Sequence, residues 1–92
     1  MHFEWDDVKA AANLAKHGVD FIDAIGALAD PNRIEDIDDS GAYDEERMRT
    51  IGMTRGAVLF VVTTMRDVNL CRIISARKGT RHEQDRYYAA HH

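Results

Sequence analysis

One cysteine, one proline and no long apolar run occur in this 92-residue chain, and each shortage excludes a class of protein. The lone Cys71 cannot close a disulfide within the chain, so this is no disulfide scaffold and it fits a reducing compartment. No apolar stretch approaches the roughly 20 residues that cross a bilayer, and the N-terminus lacks a signal-peptide pattern. A cytoplasmic protein without membrane contact is the expectation. Pro31 and six scattered glycines mark no repeat, low-complexity tract or linker, which predicts a single domain over 1–92. A glycine-rich phosphate loop and a nucleophile elbow are both missing. His2, His17 and His82 have no zinc-like spacing, so neither a metal nor a cofactor is expected.

A basic excess is missing too, since the formal net charge is −4. The distribution says more than the sum. Acids crowd the stretch from Asp30 to Glu46, where Arg33 is the sole base. Bases dominate from Arg66 to Arg86, where Arg66, Arg72, Arg77, Lys78, Arg81 and Arg86 face only Asp67, Glu83 and Asp85. A surface polarised in this way can hold an anion at one end and a basic partner at the other.

Asp6 is placed to cap a helix reaching about His17, where Gly18 supplies a left-handed terminator. Val8, Ala11, Ala12 and Ala15 recur at helical spacing and predict its buried stripe. Asp20 caps a second helix, which carries Phe21, Ala24, Ile25 and Leu28 and stops at Asp30-Pro31. Arg33 to Ile37 reads as a short strand, and Asp38 to Asp44 as an acidic loop. Arg47 to Met53 reads as a strand that turns at Thr54-Arg55-Gly56. Ala57 to Thr64 is β-branched and apolar on both faces, the mark of a central strand covered on both sides. Arg66-Asp67 closes a hairpin into a strand from Asn69 to Ala76. Thr80 and Glu83 form a capping box that opens a last helix through Tyr87 and Tyr88. Phe3-Glu4-Trp5 is too short to classify. The order predicts an α+β fold with two N-terminal helices, an antiparallel meander of three to four strands and a C-terminal helix. The helices are expected on one side or end of the sheet.

The segment from Arg72 to Arg81 carries the clearest chemistry. It ends a strand and opens a helix, so backbone N–H groups and the positive helix end converge with Arg72, Arg77, Lys78 and Arg81, all of which favour an anion. The same arginines can instead pair with the acidic loop, Glu83 or Asp85. Strand parity adds a constraint. In a regular strand Arg72 shares a face with Ile74 and Ala76, while Ser75 and Arg77 share the other. Arg72 and Arg77 meet on one phosphate only if the strand is bulged or twisted. Lys16-His17-Gly18 forms a second cluster at the end of the first helix. His17 there can act as an acid or base near neutral pH, or simply cap the helix. Trp5 offers a ring for base stacking or for the core. Of Tyr87 and Tyr88, one packs and the other is free to reach a ligand. His91 and His92, which match an expression-tag remnant, are set aside.

Several segments together resemble the BrnT family of type II toxins: FEWDDVKAAANLAKHGVDFIDA at 3–24, ADP at 29–31, ERMRTIGMT at 46–54 and RIISARKGTRHEQDRYY at 72–88. The likeness is collinear over nearly the whole chain. It implies a RelE-like ribonuclease fold, RNA cleavage without a metal and inhibition of translation. It also implies a BrnA-type ribbon-helix-helix antitoxin that binds operator DNA and forms a heterotetramer with its own dimer in the middle. The matching polar residues are Glu4, Asp6, Lys9, Asn13, Lys16, His17, Glu46, Arg47, Arg72, Ser75, Arg77, Lys78, Glu83 and Tyr87. Gly79 stands where the family usually has alanine.

On this resemblance Arg72 and Arg77 stabilise the scissile phosphate and Ser75 positions it by hydrogen bonding. Lys16, His17 and Glu46 are the candidates for proton transfer, with His17 first. Arg47, Lys78, Arg81, Trp5 and Tyr87 are the candidates for holding RNA. The expected products end in a 2′,3′-cyclic phosphate. Two other readings stay open: a non-catalytic module whose arginines serve a protein interface, and an RNA-binding protein without cleavage.

Overall fold

The apolar run beginning at Ala57 lies at the middle of a five-stranded sheet of order β1-β5-β4-β3-β2. The computed structural model describes residues 1–39, 41 and 45–90. Along the chain come β1 (His2–Glu4), α1 (Asp7–His17), α2 (Phe21–Leu28) and β2 (Ile34–Asp38). β3 (Arg47–Thr54), β4 (Ala57–Asp67), β5 (Leu70–Lys78) and α3 (Arg81–Ala89) follow. Strands β2 to β5 form the expected antiparallel meander, but the sheet is mixed and larger than predicted. β1 adds a fifth strand, parallel to β5 through Phe3 opposite Cys71 and Glu4 opposite Arg72. Three residues carry too little periodicity to announce a strand, and only the partner supplies it. Most of the predicted acidic loop, residues 40 and 42–44, lies outside the described residues, as do His91 and His92.

The caps behave as their chemistry dictates. Asp6 accepts hydrogen bonds from the N–H groups of Val8 (2.9 Å) and Lys9 (3.1 Å). Those bonds, that to Lys9 first, hold its carboxyl below the ordinary value. Gly18 ends α1 at φ 70°, and Arg55 and Gly56 turn the β3–β4 hairpin at φ 50° and 78°. Two positive φ values in a two-residue loop match the twist of the flanking strands. The following hairpin turns at Val68-Asn69 and not at Arg66-Asp67, because β4 runs on to Asp67.

α1 reverses its predicted orientation. Val8 is 79% exposed and Ala11, Ala12 and Ala15 are exposed too, while Ala10 and Asn13 turn inward. The cause is a polar demand. β1 pairs with β5 only as far as Arg72, so the outer edge of β5 beyond it has no neighbouring strand. The buried Asn13 takes that place. It accepts from the Ala76 N–H (3.1 Å) and donates to the carbonyls of Ala76 (2.7 Å) and Val19 (3.0 Å). Buried backbone groups need partners, and satisfying them outweighs burying three alanines.

The helices cover both faces of the sheet, not one side. On the first, Phe21, Ala24 and Ala27 of α2 pack with Val19, Leu59, Val61, Ile73 and Ala76. A Cβ on Gly52 would overlap the Ala27 carbonyl, so α2 sits directly on β3. On the second face α3 packs Tyr87 against Ile51 and Val58, with Ile34, Met53 and Phe60 around them. Asp30, just past α2, ties the layers: its carboxylate accepts from the Met53 N–H (2.7 Å) and the Tyr87 hydroxyl (2.5 Å).

Candidate functional site

Parity decides which side chains can act together. β5 gains one residue on β4 between Val62 and Thr63, which lie opposite Ser75 and Ile73. The extra residue, Ile74, makes a bulge. Ile73 and Ala76 both belong to the α1–α2 side core. Arg72, opposite Thr64, and Arg77, opposite Phe60, therefore emerge together on the α3 side, with Ser75 between them opposite Val62.

β3 brings two more cations to this face. Arg47 and Arg49 alternate with Met48 and share a face with Ile51, which packs under α3. Arg49 lies opposite Val62, which lies opposite Ser75, so Arg49 and Ser75 stand two strands apart, about 10 Å. α3 covers only the end near Ile51, Met53 and Val58. The rest of the face carries Val62 and Phe60 among Arg47, Arg49, Arg72 and Arg77, with Asp36 and Asp38 on edge strand β2 opposite Arg49 and Arg47. Arg49 was absent from the sequence-based candidates, although its strand period with Arg47 was readable. Its Nη2 donates to the Ile37 carbonyl (3.3 Å), and its buried Nε has no hydrogen-bond partner among the described residues.

The arginines are not equally committed. Arg77 makes a bidentate pair with Glu83 (2.7 and 2.9 Å) and lies 4.1 Å over the Phe60 ring. That pairing raises the Arg77 pKa and, with the Thr80 N–H, holds the Glu83 carboxyl below its usual value against the opposing effect of burial. Arg72 has a looser neighbour in Glu4, 3.6 Å away, which also approaches Arg66 at 3.9 Å. Arg47 lies 3.5 Å from Glu45.

The strand-to-helix junction itself offers less than its sequence suggests. Glu83 accepts from the Thr80 N–H (2.8 Å), Thr80 Oγ1 accepts from the Glu83 N–H (3.2 Å), and the Gly79 N–H donates to the Val58 carbonyl (2.8 Å). Those donors are satisfied within the fold. Arg81 is largely exposed and pairs with Asp85 at 3.2 Å, and Lys78 is exposed.

The remaining candidates are dispersed. Lys16 is exposed and His17 half-buried at the end of α1, and neither makes an ion pair or side-chain hydrogen bond with a described residue. Glu46 is exposed just before β3. Trp5 is partly buried and packs edge-on against Phe21, with 6.0 Å between centroids, at the border of the α2-side core. Tyr87 is buried with its hydroxyl on Asp30, while Tyr88 is 52% exposed. Cys71 is buried, which pushes its thiol pKa up. Among the described residues no cluster of three His, Cys, Asp or Glu could hold a metal ion, and no helix is long and apolar enough to cross a membrane.

A family model described as "Ribonuclease toxin, BrnT, of type II toxin-antitoxin system" matches residues 5–83, which includes all four arginines of this face. The chain belongs to the BrnT family. The crystal structure of the Brucella abortus ribonuclease toxin BrnT has the same fold, with a TM-score of 0.65 at 25% identity, covering 88% of this chain and 99% of that one. No curated protein matches. Membership of a type II system implies an antitoxin as partner for this BrnT-family chain. The match ends at Glu83, the residue that fixes Arg77. Gly79 leaves little room for a Cβ, which would lie 3.3 Å from both Val58 Cγ1 and the Val58 carbonyl.

Proposed function

We propose that this chain is a metal-independent endoribonuclease whose α3-side arginine face holds the phosphodiester backbone of RNA. Cleavage of cellular RNA in the cytoplasm would then inhibit translation, and the fold would be RelE-like. A BrnA-type ribbon-helix-helix antitoxin, in a heterotetramer with the antitoxin dimer central, would neutralise the toxin and bring operator DNA to it. One observation carries the reading of the site: the Ile74 bulge aligns Arg72 and Arg77 on the face that also bears Arg47 and Arg49. Preorganised guanidinium groups stabilise the charge that gathers on a phosphorane-like transition state, often the largest catalytic contribution.

In this reading Arg72 and Arg49 contact the scissile phosphate. Ser75 donates a hydrogen bond to it, and Arg77, fixed by Glu83 and Phe60, shapes the far side. Attack by the ribose 2′-OH forms the bond to phosphorus and breaks the bond to the 5′-oxygen, leaving a 2′,3′-cyclic phosphate. The base and acid must reach this face. Glu4, opposite Arg72 on β1, is the candidate that stands on this face and the one we favour, over Lys16 and His17 at the end of α1 and Glu46 before β3. Incubation of purified protein with an RNA oligonucleotide in EDTA should yield cyclic-phosphate ends. Arg72→Ala and Arg49→Ala should each lower the rate by roughly 100-fold. Intact RNA, or undiminished cleavage by both variants, overturns the proposal.

The bidentate Arg77–Glu83 pair favours a second reading, in which the arginines mainly brace the fold and RNA is bound but not cut. Affinity that falls steeply with salt while RNA length stays unchanged identifies that case.

A further inference from the structure

Arg77 differs from the other arginines of its face in how much of its guanidinium is already engaged. Both Nη atoms donate to the Glu83 carboxylate (2.7 and 2.9 Å), and Nη1 also donates to the Lys78 carbonyl (3.2 Å). Glu83 is fixed in turn, since it accepts from the Thr80 N–H (2.8 Å) within the capping box that opens α3. The guanidinium carbon lies 4.1 Å from the centre of the Phe60 ring, which stands opposite Arg77 on β4 and packs against the cluster beneath α3. Fork and inner face are thus taken up, yet 34% of the side chain is exposed. What these contacts leave open is the outer face of the plane and its Nε edge.

This arrangement is a poor anion site and a good stacking surface. A phosphate brought to the Nε edge would stand beside the Glu83 carboxylate, which already neutralises the guanidinium through a close bidentate pair. Arg72 has no such partner in Glu4, which stands 3.6 Å away and is shared with Arg66. A planar, delocalised and weakly hydrated group is, by contrast, a surface on which nucleobases stack. Phe60 and Glu83 hold that plane from below and from the side, so little ordering remains to be done when a base arrives. Position agrees with chemistry. Phe60 and Thr64, opposite Arg77 and Arg72, are separated by about 13 Å of β4, so the two arginines serve different parts of the ligand.

We infer that Arg77 is a base-stacking platform, on which an unpaired base next to the scissile phosphate lies while Arg72 and Arg49 hold the phosphate. The inference rests on the RNA-binding reading of this face and adds the substrate class. That class is RNA single-stranded at this nucleotide, since a base inside a duplex presents no free plane. Stacking tolerates any base, so the platform selects an unpaired nucleotide and not a sequence.

The test uses two short single strands of 2′-O-methyl RNA, which lack the attacking hydroxyl and cannot be cut. One strand carries no bases, and the other carries a single adenine at its centre. Binding to the full chain is followed by fluorescence anisotropy of an end label. The adenine should tighten binding by wild type roughly tenfold. In Arg77→Lys, which keeps a cation within reach of Glu83, and in Arg77→Gln, it should add less than about twofold. Thermal unfolding checks that each variant keeps its fold. An adenine that helps wild type by less than about twofold overturns the inference without any variant. An equal gain in wild type and in a folded Arg77 variant overturns it too. With the base-free strand still bound in either case, the RNA-binding reading stands. If wild type binds neither strand, and does not bind base-bearing RNA, that reading falls and the platform falls with it.

Discussion

Replacing Asn13 with alanine removes the side chain that completes the outer edge of β5. Three hydrogen bonds disappear, all to buried backbone groups: one from the Ala76 N–H and two to the carbonyls of Ala76 and Val19. Each such bond contributes about 1 kcal/mol net, and a buried group left without a partner costs about 1–3 kcal/mol. Water can enter at the edge and satisfy part of the loss, so a destabilisation of about 3–4 kcal/mol is expected. That is a large share of the roughly 5–14 kcal/mol available to a chain of this length. Urea unfolding followed by circular dichroism reads it as a lower midpoint at unchanged slope. Asn13→Asp serves as a second variant, because it keeps the acceptor for Ala76 N–H but sets a carboxylate against two carbonyls. It should be no more stable than Asn13→Ala. A loss under about 1 kcal/mol in Asn13→Ala would refute the claim that this residue substitutes for a missing strand.

Tyr87 donates to Asp30, which with burial pushes its phenol pKa up to about 12. A raised folded-state value means that this contribution is complete below the unfolded value of about 10 and is lost as pH rises through about 12. Tyr87→Phe should cost about 2 kcal/mol at neutral pH and remove that alkaline slope in denaturation curves. Glu83 has the opposite sign, since Arg77 holds its carboxyl below the ordinary glutamate value of about 4.5. Its stabilisation is present above that value and is lost as pH falls below it, so Glu83→Gln should be less stable at neutral pH and show a flatter acid limb. An unchanged acid limb in Glu83→Gln would mean that the pair seen with Arg77 does not hold in solution.

Much of the fold was legible because local chemistry and tertiary need agreed. Asp6, Gly18, Asp20 and the Thr80–Glu83 box mark helix ends by satisfying backbone groups within a few residues. The run from Ala57 marks the central strand by its apolar character on both faces. Where the two levels disagreed, the sequence misled. α1 buries Asn13 instead of its alanine stripe because a gap in the sheet edge lies 63 residues away in sequence. β1 exists only through its pairing with β5. The site followed the same division. Residues Arg72, Ser75 and Arg77 were identifiable by type, but their joint placement depends on a bulge that no local pattern announces. Arg49 was readable from its alternation with Arg47, whereas the internal satisfaction of the junction's N–H groups depends on how Glu83 and Val58 approach it.

The extra residue in β5 acts as a phase shift between two halves of one strand. Were Ile74 kept in a regular strand, Arg72 would point to the side now occupied by Ile73, and Cys71 and Ile73 would turn to the arginine face. Almost any outward side chain on this strand can therefore be exchanged singly at a local cost. Loss of Ile74 would leave both faces as they are and make the ladder regular, whereas one further inserted residue would exchange inside for outside along the edge shared with β1. At this point β5 thus tolerates shortening by one residue better than lengthening.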